Sequence, residues 1–123
     1  MIDLTTPTVD DGAISMLALL RLPLDNEKRC QAEIARALAA SNFRFEREVP
    51  VAGGIIDFLL PDSGIGIEVK IKGQAKAIYR QLQGYAFDQR ITRLVLASSK
   101  AMALPPLIGG KRCTIIDLAR GWL

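Results

Sequence analysis

Ile55-Ile56-Asp57-Phe58-Leu59-Leu60, the tetrapeptide Pro61-Asp62-Ser63-Gly64 and Ile65-Gly66-Ile67-Glu68-Val69-Lys70-Ile71 together decide how this chain reads. Pro-Asp-Ser-Gly is turn chemistry, so the runs on either side predict two antiparallel strands of a hairpin. The first run is apolar enough to be buried on both faces. In the second, Ile65, Ile67, Val69 and Ile71 point one way, while Gly66, Glu68, Lys70 and Lys72 point the other.

Three charges stand out against that apolar background. Glu68 and Lys70 are two apart in a strand and share a face, roughly 6 to 7 Å apart at the backbone. Burying charge among isoleucines and valines is costly unless it is paired or holds a metal. Asp57 interrupts the first strand, where aspartate is among the least suitable residues. Pairing across residues 61–64 brings Asp57 near Glu68. Two adjacent carboxylates repel each other, and a divalent cation removes the repulsion. Oxygen ligands without histidine or thiolate favour Mg2+, or Mn2+, over zinc. The plainer alternative is a same-face Glu68–Lys70 ion pair, with Asp57 capping a strand or bulge.

Outward from the hairpin, Phe43 and Phe45 alternate with Arg44 and Glu46 and predict a strand. Pro50 and Gly53-Gly54 mark a turn. Glu46 and Glu48 face away from Phe45 and are expected in solvent. Further upstream, Cys30, Ile34, Ala37 and Leu38 form one stripe at helical spacing, with Asp25 or Asn26 as cap and Ser41-Asn42 as stop. Residues 1–11 read as a loose arm, followed by a short helix through Ile14, Leu17 and Leu20 that Pro23 ends. Downstream, a helix is expected from Gln74 to about Asp88, with Ala75, Ile78, Leu82, Tyr85 and Ala86 on one side. Thr92 to Ala97 and Cys113 to Leu118 read as strands, separated by a Pro105-Pro106 and Gly109-Gly110 loop. The order predicts an α/β fold, a mixed sheet flanked by helices.

Composition narrows the chemistry. The 123 residues suit one domain, half of them apolar and 24% charged. The net charge of +3 is compatible with a polyanionic partner without requiring one. There is no histidine, which excludes Ser-His-Asp and Cys-His catalysis and His-ligated zinc. Cys30 and Cys113 lack metal-ligand spacing and are expected buried and reduced, as in a cytoplasmic protein. The apolar stretch from Ala13 to Leu22 is about half the length a membrane span needs, so no membrane is expected as a partner.

Asp57, the hairpin and Glu68-Val69-Lys70, followed by Gln81-Leu82-Gln83-Gly84-Tyr85 on the next helix, resemble the PD-(D/E)XK nuclease superfamily. The last segment is similar to the QxxxY motif of its RecB-like and lambda-exonuclease-like members. The match spans residues 25–98, and Ile56 stands where many members have proline. The resemblance implies a restriction-endonuclease-like fold over residues 25–123, with residues 1–24 as an N-terminal arm carrying a short helix. It implies that Asp57, Glu68 and the Val69 carbonyl hold the metal. Lys70 would orient the attacking water and offset phosphate charge. Gln81 and Tyr85 would line the site and contact the nucleic-acid backbone. A first-helix glutamate often joins such sites; Glu27 lies in line with the apolar stripe and is chosen over Glu33. Lys72, Lys76 and Arg80 would bind flanking phosphates. The implied activity is Mg2+-dependent hydrolysis of DNA by an endonuclease of resolvase, repair or restriction type. A homodimer would supply two sites for two strands. The competing expectation is a nucleic-acid-binding or regulatory module that keeps the fold without the activity.

Overall fold

The structure, a computed structural model, describes residues 9–122. Six strands form one mixed sheet in the order β1-β2-β3-β4-β6-β5. They are β1 (Glu46–Val51), β2 (Gly54–Leu60), β3 (Ile65–Lys70), β4 (Arg93–Ser98), β5 (Leu107–Ile108) and β6 (Lys111–Asp117). The helices are α1 (Val9–Ala18), α2 (Glu27–Ala40) and α3 (Ala75–Tyr85), and a 3-10 turn, Leu118–Trp122, ends the described chain. β1, β2 and β3 are antiparallel neighbours, whereas β3, β4 and β6 run parallel. β3 is therefore the seam between an antiparallel half and a parallel half, and it is buried along almost its whole length.

Two apolar cores lie on the two faces of the sheet. On one, Ala13 and Leu17 of α1 and Cys30, Ile34 and Leu38 of α2 pack against Ile65, Ile67 and Val69. On the other, Ile78, Leu82 and Tyr85 of α3 pack against Ile56, Leu59, Leu94 and Leu96. This is the mixed sheet flanked by helices that the sequence predicts. Asn26 caps α2, its side chain accepting the Arg29 amide, and Ser41 ends that helix. No helix among the described residues is long and apolar enough to cross a membrane.

Some boundaries differ from the sequence expectation. Phe43 and Phe45 pack against the first core but precede the strand; β1 begins at Glu46, where a ladder partner, Leu59, first becomes available. Alternation alone does not make a strand without a neighbour. Pro50 is tolerated because β1 is an edge strand. The loose arm expected over residues 1–11 lies largely outside the described residues, and its last three are already helical. The short helix that follows contributes buried Ala13 and Leu17 to the first core, with Leu22 behind it. β5 has only two residues and carries no readable pattern.

Candidate active site

The site grows out of a break in the sheet. Every residue of β2 except Asp57 has a register partner on at least one neighbouring strand. On the β1 side, Glu48 opposite it adopts φ 51°, a left-handed conformation rare outside glycine, and the ladder skips both residues. On the β3 side, pairing stops at Phe58 and Ile67. The inside–outside alternation also slips here: Ile56 and Leu59 belong to one core, Phe58 and Leu60 to the other.

Side chains take over the main-chain groups that this fork exposes. The Asp57 amide donates to Glu68 Oε1 at 3.2 Å, and the Val69 amide donates to Asp57 Oδ2 at 2.8 Å. The two acids are thus tied reciprocally to each other's strands. Lys70 Nζ lies 3.3 Å from Glu68 Oε2, its side chain 24% exposed against 3% for Glu68. Lys70 therefore reaches from a buried carboxylate to solvent. Both parts of the plainer alternative are present, the same-face ion pair and Asp57 capping the Val69 amide at the break, but together they leave two buried acids beside one ammonium.

Electrostatics mark the pair as strained. Burial and the Asp57 charge push the Glu68 carboxyl up to about 7, against the opposing pull of Lys70. Burial likewise raises Asp57, although the Val69 amide favours its charged form. One ammonium does not neutralise two acids taken out of water.

Glu27, at the start of α2, reaches the same edge. Its Oε1 accepts the amides of Ile71 at 2.9 Å and Lys72 at 3.4 Å, directly beyond β3. Glu33 is instead turned toward Arg36, 3.7 Å away. A shallow groove of about 510 Å³ runs past Asp25, Glu27, Ile71 and Lys72. A larger groove of about 870 Å³ lies beside Arg21, Arg29, Glu33 and Trp122. Its basic and acidic side chains balance and it contains no buried ionisable group, whereas Glu68 at the fork is buried.

Not every expected residue is brought in the same way. Tyr85 is fully buried, so it offers no surface to a nucleic-acid backbone. Its hydroxyl donates to the Ile55 carbonyl at 2.7 Å and accepts from Gln81 Nε2 at 2.8 Å. Burial, then Glu68 and Asp57, raise its pKa and keep it protonated. Gln81 is part-exposed, while Lys72, Lys76 and Arg80 are exposed. Glu46 and Glu48 are exposed, as expected. Sequence reading did not anticipate Ser98, fully buried where β4 runs beside Lys70, its Oγ accepting the Lys100 amide. A serine ending an apolar strand carries no distinguishing signal.

Among the described residues, no three acidic, cysteine or histidine side chains are gathered closely enough to hold a metal ion by themselves. An ion at the fork would be held by two carboxylates, main-chain oxygen and water, the sparse ligation that magnesium accepts. No protein-family model, curated protein or solved structure matches this chain.

Proposed function

We propose that the chain is a divalent-cation-dependent phosphodiesterase that cuts DNA as an endonuclease. The observation that carries this reading is the meeting of the Asp57 and Glu68 carboxylates beside the Lys70 ammonium, where two strands part. The donor set suits the cation: hard oxygens, no imidazole, and a Glu68 carboxyl that burial, and then the Asp57 charge, raise to about 7. Asp57, Glu68 and the Val69 carbonyl would hold magnesium or manganese, with Glu27 as a further acid at the rim. When bound, the cation would polarise the phosphate and lower the pKa of its water.

The chain's own residues do the rest. Lys70 Nζ donates hydrogen bonds toward solvent from a fixed base on Glu68 and offsets the charge that develops on phosphate oxygens. Lys72, Lys76 and Arg80 supply exposed positive charge for flanking phosphates, so binding weakens as salt rises. Gln81 is the member of the Gln81–Tyr85 pair that a substrate can touch.

The test is cleavage of plasmid and branched DNA with magnesium or manganese. Asp57→Ala and Lys70→Ala should each lower the rate by at least about a hundredfold while DNA binding persists. If the wild type binds DNA but leaves it intact with either ion, the chain is a binding module and the enzymatic reading fails.

A further inference from the structure

We infer that Tyr85 is a positioning residue, holding β2 and β3 apart by giving the Ile55 carbonyl a hydrogen-bond donor. The inference rests on the phosphodiesterase reading and deepens it. Continued past Phe58 and Ile67, the β2–β3 register would set Asp57 opposite Glu68 and Ile55 opposite Lys70. The strands part instead. A parted pair leaves main-chain groups without ladder partners, and such groups need replacements. The hairpin's own acids replace two: Glu68 takes the Asp57 amide and Asp57 takes the Val69 amide. The Ile55 carbonyl is an acceptor, so an ionised carboxylate cannot serve it. Its donor comes from the Tyr85 hydroxyl, 30 residues away in sequence.

The surroundings are built to deliver that hydroxyl. Gln81 Nε2 donates to the Tyr85 oxygen, which leaves the phenolic hydrogen to Ile55. α3 approaches the β1–β2 turn backbone to backbone: a Cβ at Gly53 would lie 2.7 Å from Gly84 Cα. Gly53 also adopts φ 81°, so glycine is required there twice over. A side chain in that contact would lift α3 and withdraw the hydroxyl from Ile55. Tyr85 thus acts through Ile55 on Asp57, two residues along the strand, with its hydroxyl also close to Glu68, and it has no exposed surface with which to act on a polymer.

The test compares wild type with Tyr85→Phe and Gln81→Ala. Backbone amide exchange at Asp57 and Val69 is followed without metal, Mn2+ binding by calorimetry, and kcat and KM on DNA. Tyr85→Phe should speed exchange at both amides and weaken Mn2+ binding and kcat by about 10- to 100-fold, with KM unchanged. Gln81→Ala should speed exchange at the same amides to a smaller extent, and it decides the matter if Tyr85→Phe does not fold. A raised KM with kcat and Mn2+ affinity intact would make Tyr85 a substrate contact and overturn the inference. So would wild-type exchange at both amides. Should the wild type neither bind Mn2+ nor cut DNA, the phosphodiesterase reading falls. Amide exchange alone then decides whether Tyr85 holds the fork.

Discussion

Glu68 concentrates the conflict between burial and charge in one side chain. Its folded pKa of about 7 lies above the ordinary 4.5, so the folded protein holds a proton that the unfolded chain releases between those values. The resulting stability is complete below pH 4.5 and is lost as pH rises through 7, provided no cation is bound. Denaturant titrations of metal-stripped protein should show this decline, and Glu68→Gln should flatten it. Adding magnesium should stabilise the wild type more above pH 7 than below pH 4.5, and a chelator should reverse the gain. Much of this centre was legible in sequence, because a charge inside an apolar strand has few explanations. Glu27 was legible for a second reason: it begins a helix whose apolar stripe fixes its direction. The burial of Tyr85 was not, since a tyrosine on the apolar side of a helix can lie wholly inside or show its hydroxyl to solvent. Which of these occurs depends on how closely the helix approaches the sheet.

At the scale of elements, a second clamp holds the β1–β2 turn to the segment after α3. Asp88 accepts the Ala52 amide at 3.0 Å and is gripped by Arg90, whose guanidinium also donates to the Pro50 carbonyl at 2.6 Å. The Arg90 side chain, more than the amides, holds the Asp88 carboxyl well below its usual 3.8. A depressed carboxyl stabilises the fold above its unfolded pKa and gives that up as pH falls. Asp88→Asn should therefore destabilise the protein at neutral pH, and the loss should shrink once pH drops below 3.8. On the other side of the same turn, Gly53→Ala combines strain at positive φ with overlap against Gly84. It should cost about 1–3 kcal/mol in thermal or chemical unfolding. The β2–β3 hairpin was readable because its turn and both its strands are contiguous. β1 was misplaced and β5 missed, because ladder partners rather than local pattern decide where such strands begin. Glu48 shows the limit most clearly, for nothing in its neighbours announces a left-handed residue in mid-strand.

Across the whole molecule, the site draws on segments far apart in the chain. Asp57 and Glu68 come from one hairpin, Glu27 from α2 and the Tyr85 support from α3. α1 and Leu22 close the core behind α2, so the segment before residue 25 is structural where it is described. Leu17→Ala should cost about 2–5 kcal/mol. Removing residues 1–24 should abolish cooperative unfolding, seen as loss of the near-ultraviolet dichroism of a packed interior. The layer order was legible from helix stripes and strand runs, but the membership of α1 in the core was not, because its few apolar residues name no partner. The kinked outer strand has one more consequence. With proline at position 50 and a left-handed residue at position 48, β1 cannot present a flat, regular row of donors and acceptors to another chain. That rim is thereby blunted against templating fibrils, and concentrated stocks should resist cross-β aggregation there for as long as the native state persists.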